Sequence, residues 1–194
     1  METRKMKLII GLTGPISGGK GTAVDLLKHK GFFSTSLSDR IREEIIVRRE
    51  VITRERLQDV ADELRKKFGA SVLADRTWKI VANQSQNAVI DSIRNVSEVE
   101  FLKRKPGFIL IGVTAPRDLR FERAKSRARE GETLSWEEFV RLDEKDFKSG
   151  EGEEGRNIEA CLAKVDFLIE NTGSLEELET KIEEVLNKIH ANKI

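Results

Sequence analysis

Between Gly11 and Thr22 the chain reads GLTGPISGGKGT, with five glycines, one proline and one lysine in twelve residues directly behind the apolar run KLII. Bare backbone lets successive amide N–H groups converge on an anion, and a helix opening at Lys20 or Gly21 would add the positive end of its dipole. Gly14, Gly19 and Lys20 have the G-x4-G-K spacing that places a lysine against β and γ phosphates. The stretch Gly14, Pro15, Ile16, Ser17, Gly18, Gly19, Lys20, Gly21 and Thr22 is therefore the candidate loop for a nucleoside triphosphate. Its one departure from the general pattern is Gly21, which stands where a hydroxyl usually follows the lysine; the hydroxyl comes one residue later, at Thr22.

Four later segments carry groups suited to phosphate chemistry. SLSDRIREE holds Asp39 and Arg42, a guanidinium fork for an acceptor phosphate or an ordinary exposed ion pair at helical spacing. VIDSIRN brings Asp91 to the end of an apolar run and Arg94 one turn later, a carboxylate for magnesium-bound water or a plain N-cap, and an arginine for phosphate or for solvent. APRDLRFERAKSRARE carries Arg120, Arg123 and Arg127 at spacings of three and four, either charge stabilisers or a soluble basic face. Asn171, Thr172 and Gly173 form a turn that would present backbone to a nucleotide base, or merely join a strand to a capped helix. Arg141, Asp143, Asp146 and Arg156 are further charged groups whose register the sequence leaves open.

The elements that must position these groups alternate. Apolar β-rich runs at 7–12, 32–37, 87–91, 108–114 and 165–171 are separated by helical patterns, which predicts a parallel sheet buried on both faces in a layered α/β fold. Ser174 with Glu177 reads as a capping box, and Leu175, Leu178, Ile182, Val185, Leu186 and Ile189 then share one apolar face. Similar S-x-x-E starts stand at Ser97 and Ser135. Residues 38–86 read as three helices inserted on the substrate side, including TRERLQDVADELRKKFG, whose Arg54, Arg56, Gln58 and Arg65 would wall a pocket or face water. Residues 131–156 read as a mobile lid of one short helix and a Gly/Glu-rich stretch; the core comprises 1–37, 87–130 and 157–194 of a single domain.

The form G-x4-G-K-G-T resembles the adenylate-kinase branch of the P-loop kinases. Asp39 and Arg42 match the D-x-x-R element that opens the substrate helix of nucleoside monophosphate kinases, and Arg123 and Arg127 match the R-x-x-x-R pair that starts their lid. DSIRNVSEVEFLK and VDFLIENTGSLEEL resemble segments of dephospho-CoA-kinase-like proteins, the second lying against adenine there. The resemblance implies a three-layer α/β/α P-loop fold with five parallel strands in the order 2-3-1-4-5. It also implies ATP and Mg2+ as cofactors, the metal held largely through waters by Asp91 and Thr22. Lys20, Asp39, Asp91, Arg123 and Arg127 would be the catalytic set, and Asp39, Arg42 and Arg94 would hold the acceptor. A nucleoside or deoxynucleoside monophosphate is the favoured acceptor, because it needs arginines but no strong base. Dephospho-CoA would need a base for its hydroxyl, and Leu37 replaces the first carboxylate of the D-x-D usual there. An ATP-binding regulatory or nucleic-acid-associated NTPase is the alternative of another class.

Composition narrows the partners. Charged residues make up 36% of the 194 residues yet nearly cancel at +1, so no global field argues for nucleic acid or an acidic membrane. One cysteine, Cys161, excludes an intramolecular disulfide and is expected to serve packing. With no run of about 20 apolar residues, the expectation is a cytoplasmic protein, monomer or homodimer, acting on a small molecule.

Overall fold

The computed structural model describes residues 7–127, 134–147 and 155–191. Five strands, β1 (Ile9–Thr13), β2 (Phe33–Ser36), β3 (Ala88–Asp91), β4 (Phe108–Thr114) and β5 (Phe167–Glu170), form one sheet in the order β2-β3-β1-β4-β5. All pairings are parallel, with Ile10 opposite Val89 on one side and Ile109 on the other. This is the order that the sequence resemblance implies.

Side chains alternate across a strand, so the continuous apolar runs fill two cores at once. On one face Ile9, Ile90 and Leu110 pack with α2 (Leu37–Val47), α3 (Arg54–Phe68), α4 (Val72–Ala82) and α5 (Val96–Lys103). On the other, Ile10, Val89, Ile109 and Ile111 pack with α1 (Lys20–His29) and α9 (Leu175–Ala191). Three further helices, α6 (Arg117–Ser126), α7 (Trp136–Phe147) and α8 (Ile158–Leu162), border the sheet's carboxyl edge or its margin. Of the expected lid, α7 and residues 155–156 are described; 131–133 and 148–154 lie outside the described residues, as do 1–6, 128–130 and 192–194 of the expected core.

The three helices of 38–86 are present, with Val72, Leu73, Ala74 and Val81 of α4 buried in the sheet's core beside residues of α2 and α3. Three local expectations change. The cap of α5 is Asn95 rather than Ser97, because Asn95 accepts from Ser97 N at 2.7 Å while Glu98 reaches back to Asn95 N at 3.2 Å. Leu175 is half exposed, unlike the rest of the α9 stripe. Finally, Leu37 is the first residue of α2 rather than the end of a strand. The Ser135 cap is reciprocal as the sequence predicts, with Oγ accepting from Glu138 N and the Glu138 carboxylate accepting from Ser135 N.

Candidate active site

Parallel sheets gather ligands at the carboxyl ends of their strands, and here β1 ends in the glycine loop. Gly14, at φ +143°, lies so close to β4 that an added Cβ would stand 2.1 Å from Val113 O. Gly19, at φ +108°, starts α1, and a Cβ there would meet Asn171 Nδ2 at 2.1 Å. Asn171 in turn donates to Gly18 O at 3.1 Å, which fastens the loop to the end of β5. Ser17 holds a left-handed φ of 57°, a strained state for a residue with a side chain. Gly21, by contrast, has open space where a Cβ would stand.

Lys20 folds over this loop, donating to Gly14 O and Pro15 O at 2.8 Å each. Loss of hydration lowers its pKa to about 8, and Arg94 and Arg120 push in the same direction while Asp91 and Asp146 oppose them. Anion binding needs the ammonium. Its folded pKa is depressed, so the charge is complete well below pH 8 and is lost as pH rises through that value. Titrations with ATP are therefore expected to give an affinity that is flat near pH 7 and falls above about 8, approaching tenfold per pH unit. Lys20→Arg should flatten the curve, since arginine stays charged.

Two clefts flank the lysine. One, of about 260 Å3, is lined by Ile16, Ser38, Arg42, Arg65, Arg94, Asp146 and Arg156, among others. The sequence-derived Arg42 and Arg94 thus come together. Asp39 does not line the cleft. Its Oδ2 accepts from Ser36 N at 2.9 Å as the return half of a capping box, and Oδ1 lies 3.6 Å from Arg42 Nη1. That carboxylate is occupied by helix capping and an exposed ion pair.

The second cleft, of about 210 Å3, is lined by Gly19, Thr22, Arg123, Arg127, Asn171 and Gly173, with Leu175 at its wall. Arg123 Nη1 donates to Asn171 O at 3.0 Å, so Arg123 and Arg127 border this side rather than the Arg42 side; Thr172 is exposed and is not among the lining residues. Asp91 lines neither cleft. Its Oδ1 is buried without a hydrogen-bond partner, an acceptor left over at the end of β3. An unpaired carboxylate oxygen fits water on a magnesium ion, which hard oxygen donors suit, while Thr22 lines the second cleft.

Sequence reading did not resolve three residues that the fold brings into play. Arg65 is buried and donates to Glu98 at 3.0 Å. Asp146, also buried, accepts from Arg94 at 2.9 Å and Arg156 at 2.8 Å. Asp143, fully buried, is gripped by Arg120 and Arg117. The available signal was the α7 spacing: Phe139, Asp143 and Asp146 share its buried face, so two carboxylates sit where an amphipathic helix would carry apolar residues. Charge counting over the first cleft is simple. Glu98 offsets Arg65, Asp39 offsets Arg42, and Asp146 offsets one of Arg94 and Arg156, which leaves one guanidinium charge unspent. Cys161 is buried and its thiol is pushed up to about 12 by burial, as a packing residue should be.

Among the described residues no group of three or more His, Cys, Asp or Glu could hold a metal by itself, and no helix is long and apolar enough to cross a membrane. No protein-family model matches the chain. Among solved structures it resembles TT1252 from Thermus thermophilus, with a TM-score of 0.61 and 26% identity over 95% of this chain and 99% of that one. A shikimate kinase from Acinetobacter baumannii has a TM-score of 0.59 at 18% identity over 98% and 97%, a likeness of fold alone. Dephospho-CoA kinase from Campylobacter jejuni shares the fold at 0.50. The chain therefore shares its three-layer fold and strand order with these kinases. Curated relatives include a UPF0200/UPF0201 protein of Archaeoglobus fulgidus, 36% identical over 97% of this chain, although the chain spans only 57% of that protein's length. A UPF0200 protein of Thermococcus onnurineus is 33% identical, and there the match covers 95% of this chain and 99% of the relative. The chain belongs to the UPF0200 family.

Proposed function

We propose that this protein is an ATP-dependent phosphotransferase whose acceptor is a nucleoside or deoxynucleoside monophosphate. The observation that carries the reading is the first cleft, where guanidinium groups from α2, α3, the β3 end and the segment before α8 meet beside Lys20 and exceed their carboxylate partners by one charge. A phosphate monoester is an anion, and the planar fork of arginine suits its oxygens. Such an acceptor already presents an anionic oxygen, so the engagement of Asp39 in a helix cap costs the reaction nothing.

On the donor side, the amides of Gly14 to Lys20 would cradle the triphosphate, with Lys20 turning from the carbonyls of Gly14 and Pro15 to the transferred group. The second cleft, with Asn171 and Gly173 on its rim, would take the base, and Arg123 and Arg127 would meet the phosphates from that side. Asp91 would hold magnesium through water, and the metal when bound would neutralise charge on the β and γ oxygens. α7 would be the docked part of a lid whose other parts lie outside the described residues. Arginines, lysine and a site closed to water are most of what phosphoryl transfer asks of a protein.

The structural neighbours named for shikimate and dephospho-CoA keep a hydroxyl acceptor among the outcomes to be tested. The test is ADP formation from ATP with a panel of nucleoside and deoxynucleoside monophosphates and dephospho-CoA. Turnover with at least one monophosphate is expected. Turnover with dephospho-CoA alone would replace the acceptor; no turnover with any of them, together with stimulation by RNA or DNA, would overturn the metabolite-kinase reading.

A further inference from the structure

The geometry points to Asp143 as a positioning residue for the phosphate loop, acting through Arg120; this rests on the loop's binding ATP as proposed above. Asp143 is fully buried on α7, and both of its oxygens are taken by the Arg120 guanidinium, Oδ2 at 2.9 Å from Nη2. A buried carboxylate gripped bidentately fixes the plane of its partner, and Arg120 is itself only 3% exposed. The other N–H groups of that fixed fork reach two backbone carbonyls: Nε donates to Ala115 O at 2.9 Å, behind β4, and Nη1 donates to Ile16 O at 3.2 Å, in the glycine loop.

The contact with Ile16 is the consequential one. A trans peptide unit is rigid and planar, with its C=O and the following N–H pointing in opposite directions. Turning the Ile16 carbonyl toward Arg120 therefore turns the Ser17 N–H away from it, and the described residues contain no cis peptide that would change this. Ser17 is the loop's one side-chain-bearing residue in a left-handed conformation, with φ 57°. Left to itself such a residue relaxes out of that region, which is strained for any residue with a side chain. Arg120 is the side chain that holds the peptide entering Ser17, and Asp143 is what holds Arg120. A helix remote in sequence thus sets the direction of an amide that the triphosphate needs.

Arg117 provides the internal control. Its Nε also donates to Asp143 Oδ2, at 2.9 Å, but it is exposed and its ion pairs are with Asp143 and Glu144 of α7 rather than with the loop. Removing it loosens the docking of α7 without touching Ile16. A carboxylate that only anchored the helix would give similar defects for Asp143→Asn and Arg117→Ala. A carboxylate that positions the loop would not.

The experiment is calorimetric titration of ATP into the full chain and its variants, with thermal melting of each. Wild type should bind ATP; Asp143→Asn should bind it at least tenfold more weakly, and Arg117→Ala within twofold of wild type. Arg120→Lys keeps a charge opposite Asp143 but cannot span Asp143, Ala115 and Ile16 together. It should share the Asp143→Asn defect even where Asp143→Asn melts too low to titrate. Equal losses in Asp143→Asn and Arg117→Ala, or unchanged affinity in folded Arg120→Lys, would overturn the positioning role while leaving ATP binding standing. A wild type that does not bind ATP would overturn both, and that failure shows before any variant is made.

Discussion

Lys20→Ala is expected to lower turnover by at least about a thousandfold, about 4 kcal/mol of transition-state stabilisation. The size follows from position. The ammonium is the positive side chain that lies directly over the loop, bonded to Gly14 O and Pro15 O and drained of hydration until its pKa falls to about 8. A charge kept poorly solvated by the protein is available to an anion at little further desolvation cost, and that is where electrostatic catalysis is strongest. The same fact protects the fold. Folding gains little from a lysine whose charged form the environment disfavours, so the variant should melt within a few degrees of wild type. Steady-state rates with the acceptor found in the panel, alongside a melting curve, decide it. Undiminished turnover would remove the loop from the mechanism, and a collapsed melting curve would show that Lys20 serves stability instead.

Asp91→Asn should cost about a hundredfold in turnover, with a raised magnesium concentration at half-maximal rate. The buried Oδ1 of Asp91 has no hydrogen-bond partner, and nature seldom leaves a buried carboxylate oxygen unpaired without a ligand to meet it. Asparagine keeps the shape of the side chain and removes the charge that would orient metal-bound water. The magnesium titration separates this from a structural defect, since an N-cap or packing role would leave the metal dependence where it was. Unchanged magnesium dependence would place the metal on other residues.

How much of this was legible in the sequence depends on the distance over which each group works. The glycine loop could be read directly because its chemistry is in contiguous backbone: spacing alone places Gly14, Gly19 and Lys20, and the fold adds only that Val113 and Asn171 crowd them from outside. The meeting of Arg42 and Arg94 in one cleft was foreshadowed, since they follow the ends of β2 and β3 by six and three residues, at the sheet's carboxyl edge. Asp39 was not legible. Its position three residues after Ser36 suits a capping box as well as an acceptor site, and only the hydrogen bond from Ser36 N distinguishes the two. Arg123 and Arg127 had the right spacing for a shared helix face, but spacing cannot say which cleft that face borders.

By itself, the sequence determined the layered fold through hydrophobic periodicity and the glycine loop through local spacing, while the strand order was implied by the family resemblance. The first two depend on neighbours along the chain, where sterics and periodicity act. Tertiary structure decided how the charges are shared. Arg94 meets Asp146 across 52 residues, Arg65 meets Glu98 across 33, and Arg120 reaches Ile16 across 104. A buried charge must find a partner wherever the packing provides one, and with charged groups at 36% of the chain the sequence offers far more pairings than the fold can make. The three-dimensional packing of α7 selected two of its acids for burial, and with them which arginines they hold: Asp143 takes Arg117 and Arg120, Asp146 takes Arg94 and Arg156.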